Sequence, residues 1–160
     1  SNLLWGDEQA TDEQMNRAAS IAQAAEVINK KEGRLDEPVR QLGANFSGGQ
    51  KQRLSLARAL ANNPAILIMD DTTSAVDMET EEHIQQELKK LDGTRTIITI
   101  AHRISSVKDA DMIVVLDHGK IIERGTHAQL VAAHGRYWEI YRKQLGFKTG
   151  RSAGFETKGE

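Results

Sequence analysis

The chain has 160 residues, 39% hydrophobic and 28% charged, which is enough for about one globular domain with a buried core. A formal net charge of -2 and a pI near 6.2 give no electrostatic reason to expect nucleic acid or an anionic membrane surface as partner. Cysteine is absent, which excludes disulfides, thiol chemistry and Cys-ligated metals.

No apolar run approaches the ~20 residues of a membrane helix, and the first residues lack the basic, apolar and small-residue regions of a signal peptide, so a cytosolic setting is expected. Ser1-Asn2-Leu3-Leu4-Trp5-Gly6 has no initiator Met and reads as the middle of an element, as in an excised piece. Thr11-Asp12-Glu13-Gln14 has the form of a capping box and predicts a helix start. Met15, Ala18, Ala22, Ala25 and Ile28 then recur at helical spacing, so one helix is expected to continue to a stop at Gly33, its apolar stripe serving core packing. Pro38 and Gly43 mark an irregular connector over residues 34–44.

Asn45-Phe46-Ser47-Gly48-Gly49-Gln50 precedes a helix predicted from about Gln50 to Ala61. Free backbone amides and the positive end of the helix dipole favour an anion there, and two adjacent glycines let the backbone approach a phosphate; an ordinary serine-glycine helix start would look the same. Asn62-Asn63-Pro64 breaks the helix, and Ala65 to Met69 reads as a fully buried parallel strand. It delivers Asp70 and Asp71 to the carboxyl edge of an α/β sheet, where such folds bind ligands, and Asp70 is a hard oxygen donor suited to Mg2+. After Ser74-Ala75-Val76-Asp77 a helix is expected from about Met78 to Leu91. It should bury Ile84, Leu88 and Leu91 and leave Glu81, Glu82, Glu87, Lys89 and Lys90 on a solvated face.

Asp92-Gly93 predicts a turn, and Thr96-Ile97-Ile98-Thr99-Ile100 a β-branched strand that ends at Ala101-His102-Arg103. His102 then lies at the same sheet edge as Asp70, where an imidazole can be structural or can hydrogen-bond a phosphate and an attacking water. A short helical connection is expected over Ile104 to Asp109, followed by a hairpin of Met112–Asp117 and Lys120–Glu123 around His118-Gly119. Thr126 and Gln129 form another capping box, and a last helix through Tyr137, Trp138, Ile140 and Tyr141 should pack on the body. His118, His127 and His134 share no metal-ligand spacing and are read as surface residues. From Gly146 the tail is polar and is expected to be disordered.

In their order and spacing, these stretches resemble the nucleotide-binding domain of ATP-binding cassette (ABC) transporters: Ser47 to Gln50 as the signature motif, Ala65 to Asp71 as Walker B, Ser74 to Asp77 as the D-loop and His102 as the H-loop. The resemblance implies an α/β fold, a partial P-loop NTPase-like ABC ATPase domain. Its helical signature region would be 1–64, its Walker B, D-loop, H-loop and C-terminal hairpin and helices 65–147, and 148–160 a tail. It implies ATP and Mg2+ as cofactors, with Ser47, Gly48, Gly49, Gln50 and Asp77 at nucleotide, Asp70 at the metal, and Asp71 and His102 in hydrolysis.

Phe46 replaces the family's commoner leucine, and Gln41 aligns with a glutamate that in exporters faces the coupling helices of the transmembrane part. The implied partners are a second nucleotide-binding domain, since the signature completes an ATP site on the opposite subunit, and transmembrane domains at the cytoplasmic face of a membrane. Asp71 stands where the family usually has glutamate, which keeps the charge, shortens the reach by one methylene and predicts slower turnover. That departure resembles the degenerate-site half of a heterodimeric multidrug exporter.

No G-x-x-x-x-G-K-[ST] occurs in these residues, so this chain alone is expected to bind MgATP weakly, hydrolyse none and leave some sheet surface unpaired. Two other readings stand beside the exporter. One is a DNA-repair or chromosome-organising ATPase of the same superfamily, against which the short connector between signature and Walker B counts. The other is a regulatory module that binds nucleotide without turnover.

Overall fold

Three helices begin where the sequence supplies both halves of a capping box: Thr11 with Gln14, Ser47 with Gln50, and Thr126 with Gln129. In each, the hydroxyl accepts from the third helical amide while the Gln side chain accepts from the amide of the cap itself, so two otherwise unpaired donors are satisfied at once. The computed structural model describes residues 2–91 and 95–146, in two compact units that divide between His102 and Arg103. The expected Asp92-Gly93 turn and the tail beyond Gly146 lie outside the described residues.

In the first unit, α1 (Asp12–Ile21) and α2 (Ala25–Asn29) replace the single helix expected to run to Gly33. The interruption has a physical cause. Gln23 takes a left-handed backbone at φ 53°, the amide of Gln23 donates to Ser20 O, and the amide of Ala24 donates to Ala19 O at 2.7 Å. This is a Schellman stop on a non-glycine residue, and the Arg53 guanidinium fixes it by donating to Gln23 O at 2.7 Å. The alanine stripe of α1 packs on α3 (Gly48–Ala61), so Ala18, Ala19, Ala22, Ala57 and Ala61 let the two helices approach closely. Residues 34–44 form two short 3-10 turns, as the connector reading predicts.

Strand β1 (Ile66–Asp70) pairs in parallel with β2 (Thr96–Ile100), in a register that places Asp70 opposite Ile100. Leu67 and Met69 point into the helices, with Ile84 and Leu88 of α4 (Met78–Lys89) in the same core. Each such side chain contributes about 1.5–3 kcal/mol on burial. The expectation of a fully buried strand is corrected. Ile66 and Ile68 are 59% and 65% exposed, and Ile98 and Ile100 are 47% and 48% exposed, so the pair buries one face and leaves an apolar face open. Alternation along the strand decides this, because residues two apart share a face.

Glu81 also departs from expectation. It is only 5% exposed, and its carboxylate accepts from the Thr73 hydroxyl at 2.9 Å, so it belongs to the inner side of α4 and not to the solvated charge run.

The second unit is built on the hairpin β3 (Ile113–Asp117) and β4 (Lys120–Gly125). His118 and Gly119 both have positive φ, 45° and 75°, the pattern of a type I′ turn, and a bulge at Val115/Leu116 shifts the register. Helices α5 (His127–Ala133) and α6 (Arg136–Gln144) close over it, with Ile104, Ile113, Leu130 and Tyr137 as the core. His127 is not the surface residue expected. Its Nδ1 lies 2.7 Å from the Tyr137 hydroxyl and its ring meets Tyr137 and Tyr141 edge-on.

Candidate functional site

The site is built on the first unit, at the start of α3 and the carboxyl ends of β1 and β2. Ser47 has an extended backbone at φ -69° and ψ 165°, and its hydroxyl accepts from Gln50 N at 3.3 Å. The Ser47 amide donates to Gln50 Oε1 at 2.9 Å. Capping therefore engages the Gln50 carbonyl and one lone pair of the Ser47 hydroxyl, while the O–H proton can still be donated outward. Gly48 and Gly49 supply the first amides of the helix, which an α-helix leaves without intrahelical acceptors. An anion beyond this terminus would receive those donors and the positive end of the dipole of a 14-residue helix.

Gly49 has a second reason to lack a side chain. A Cβ there would lie 2.7 Å from the carbonyl oxygen of Ala75, whereas one at Gly48 would meet only the Ala75 Cβ at 3.6 Å. The serine-glycine loop thus packs directly on residues 75–76. That loop is held from α3 by Gln52, whose Nε2 donates to Asp71 O at 3.2 Å and to Ser74 Oγ at 2.9 Å and whose Oε1 accepts from Ala75 N at 2.9 Å. From the other side Thr73 is tied to Glu81.

Asp70, Asp71 and His102 lie together at the strand ends. Asp70 closes β1 and is exposed, and the amide of Asp71 donates to Ile100 O at 3.1 Å, which carries the β1–β2 pairing one residue past the strand. His102 is exposed two residues beyond that carbonyl. Asp71 is exposed and adopts a left-handed backbone at φ 49°, a conformation that costs a non-glycine residue about 1–2 kcal/mol and that clusters at functional positions.

Asp77 does different work. Its Oδ1 accepts from Thr80 N at 2.9 Å and its Oδ2 from the Thr80 hydroxyl at 2.8 Å, so both carboxylate oxygens cap α4. The Thr80 amide first, and then the Thr80 hydroxyl, hold the Asp77 pKa below the usual aspartate value.

The structure therefore sorts the predicted residues into two groups, Ser47–Gln50 on the end of α3 and Asp70, Asp71 and His102 on the sheet edge, with Asp77 behind the loop that joins them. Sequence reading missed Gln52 and Glu81. Gln52 falls at helical spacing from Gly48 and Gly49, which places it on their side of α3 and was the available signal.

The family model described as ABC transporter matches residues 2–74. The chain is 42% identical over 147 residues to an ATP-dependent lipid A-core flippase of Aliivibrio fischeri, covering 91% of this chain and 25% of that protein. It is 46% identical over 143 residues to a Staphylococcus aureus protein named as a candidate multidrug export ATP-binding/permease protein, covering 89% of this chain and 25% of that protein. Among solved structures it is similar to a bacterial Atm1-family ABC exporter with ATP bound, at TM-score 0.85 and 38% identity, covering 89% of this chain and 25% of that one.

The chain belongs to the ABC transporter family. It carries ATP-binding domain sequence, and the mixed α/β structure resembles the nucleotide-binding fold of ABC exporters. It spans about a quarter of the length of the curated relatives it matches. No helix among the described residues is long and apolar enough to cross a membrane.

An ABC ATP-binding domain implies a nucleotide ligand, and Mg2+ is the ion expected with it. The donor set fits both. Mg2+ keeps several waters and is usually held by one or two carboxylates together with substrate phosphates. Asp70 at an exposed strand end suits that role, and no cluster of three or more His, Asp or Glu that would hold a metal without phosphate occurs among the described residues. The unpaired amides at the start of α3 suit phosphate oxygens for the reason given above.

Proposed function

We propose that this chain is part of the ATP-binding and hydrolysing domain of an ABC exporter, acting in its own ATP site through Asp70, Asp71 and His102 and in the site of a second nucleotide-binding domain through Ser47, Gly48 and Gly49. One observation carries the reading. The three hydrolytic candidates share the carboxyl edge of β1–β2, while the glycine loop opens a separate helix whose end packs on residues 75–76. That separation suits two half-sites facing different nucleotides.

In the chain's own site Asp70 would hold Mg2+, which neutralises phosphate charge when bound. Asp71 orients the attacking water and accepts its proton, and His102 donates a hydrogen bond toward the γ-phosphate. Gln50 and Asp77 contribute by capping, the first setting the Ser47 loop and the second the loop before α4. Closure of the two domains over ATP would drive transmembrane domains at the cytoplasmic face of a membrane. Residues 1–64, with the helices and signature, and 65–147, with the catalytic strands and the C-terminal hairpin, act as parts of that one domain.

The test is ATP turnover by the complete protein in membranes or detergent. Asp70→Asn, Asp71→Asn and Ser47→Arg should each lower kcat at least ~100-fold, as removal of a directly acting catalytic group does. Wild-type rates in all three would reject the reading. The chain alone should show little response to MgATP up to millimolar concentration; saturable micromolar binding would mean that its residues hold the phosphates by themselves.

Asp71 favours one refinement. With aspartate in place of glutamate and a left-handed backbone, this copy would serve a slow or degenerate site in a heterodimeric multidrug exporter, while its Ser47-Gly48-Gly49 completes the competent one.

A further inference from the structure

We propose that Gln52 is a positioning residue for hydrolysis, holding the Asp71 backbone and the loop after it in the working arrangement from the side of α3. The inference rests on the reading of Asp71 given above. Three bonds carry it: Gln52 Nε2 to Asp71 O at 3.2 Å, Gln52 Nε2 to Ser74 Oγ at 2.9 Å, and Ala75 N to Gln52 Oε1 at 2.9 Å. One amide side chain therefore spans the loop from the residue with the proposed catalytic carboxylate to the residue that packs on Gly48 and Gly49.

The Asp71 conformation needs such support. Its φ of 49° is disfavoured for a residue with a Cβ, and it persists where surrounding bonds over-determine it. The Asp71 amide is fixed by Ile100 O at 3.1 Å. Its carbonyl accepts from Ser74 N at 3.3 Å, from the Ser74 hydroxyl at 3.1 Å and from Gln52. The Ile100 and Ser74 bonds belong to the sheet and to the local turn. Gln52 brings in a separate element, and the element is the helix that begins with Ser47. Over the five steps from the N-cap Ser47 to Gln52 the chain rises about 7.5 Å along α3 without a flexible joint, so the placement of the serine-glycine loop is passed to Asp71 O through one side chain.

Steady-state ATP hydrolysis by the complete protein tests this with Gln52→Met, which keeps length and loses all three bonds, and Gln52→Glu, which keeps the acceptor to Ala75 N and loses the Nε2 donor. Asp71→Asn is measured beside them. Gln52→Met should lower kcat by roughly 10–100-fold, the scale of an ångström of misplacement, with KM for ATP and the equilibrium Kd for MgATP within about 2-fold of wild type. Gln52→Glu should fall as far, because the donor to Asp71 O is the bond that matters.

Three results overturn the proposal: unchanged kcat in both Gln52 variants while Asp71→Asn is inactive; a rise in KM with kcat intact, which would make Gln52 a binding residue; or loss of the folded protein in both variants, which would make its role structural. Wild-type turnover in Asp71→Asn would instead reject the reading of Asp71, and the proposal would fall with it.

Discussion

Two adjacent glycines in one loop should answer differently to the same substitution. Gly49→Ala places a Cβ 2.7 Å from Ala75 O, while Gly48→Ala places one 3.6 Å from Ala75 Cβ, an ordinary contact. To restore a separation of ~3.5 Å the carbonyl must retreat by roughly 0.8 Å, and it cannot do so freely because Ala75 N is bonded to Gln52. Overpacking of this kind costs about 1–3 kcal/mol, offset by at most ~1 kcal/mol from the better helix propensity of alanine. The net expectation is a loss of about 1–2 kcal/mol for Gly49→Ala and a change between zero and ~1 kcal/mol in the stabilising direction for Gly48→Ala. In urea unfolding, with a slope near ~2 kcal/mol per molar, the Gly49→Ala midpoint should fall by roughly 0.5–1 M and the Gly48→Ala midpoint should hold or rise. Equal midpoints for the two variants would refute the packing argument and leave both glycines explained by ligand approach alone.

Asp71→Glu restores the longer carboxylate and should raise ATP turnover of the complete protein at least ~10-fold if reach limits the present site; equal rates would end the degenerate-site reading. Arg53→Met removes the bond that fixes the Gln23 stop between α1 and α2 and should destabilise by about 1.5–3 kcal/mol in thermal unfolding, the range for a charge-assisted hydrogen bond. Glu123→Ala strips the carboxylate that accepts from the amides of Arg136 and Tyr137 at the start of α6, and should lower the urea midpoint by an amount equivalent to about 1–3 kcal/mol. The Asp77 pKa is depressed in the folded protein, so its contribution is present above the unfolded value of ~3.9 and is lost as pH falls through the folded value. The protection factors of the amides in the first turn of α4, taken relative to the intrinsic exchange rate at each pH, should therefore be flat near neutrality and fall in acid, and Asp77→Asn should remove that acid dependence.

Much of the site could be read from the sequence because its signals are local. A capping box is two residues three apart, and the two read from the sequence, Thr11 with Gln14 and Thr126 with Gln129, start the helices they predict, while the same pattern at Ser47 and Gln50 starts α3 at Gly48, ahead of the expected Gln50. The carboxylates and His102 follow β-rich runs of five residues each, so their arrival at one edge needs only the parallel pairing of those runs. Features that depend on another element were out of reach. The stop at Gln23 depends partly on Arg53, thirty residues later. Glu81 looked like one more charge on a solvated face until Thr73 supplied its partner. Gln52 looked like any polar helix residue, because its partners lie in a loop about twenty positions away. The open face of Ile66, Ile68, Ile98 and Ile100 escaped for the opposite reason: an uninterrupted apolar run looks the same whether one face or both are covered.

The most direct test of the two-site account is complementation between two differently tagged copies of the complete protein, purified as mixed dimers and assayed for ATP hydrolysis. One pairing joins an Asp70→Asn copy with a Ser47→Arg copy; the other joins a copy carrying both changes with an unaltered one. If Ser47-Gly48-Gly49 serves the partner's nucleotide and Asp70 its own, the first pairing retains one whole site and turns over ATP, whereas the second retains none. Activity in the second pairing and not in the first would place both motifs in the same site and contradict the account.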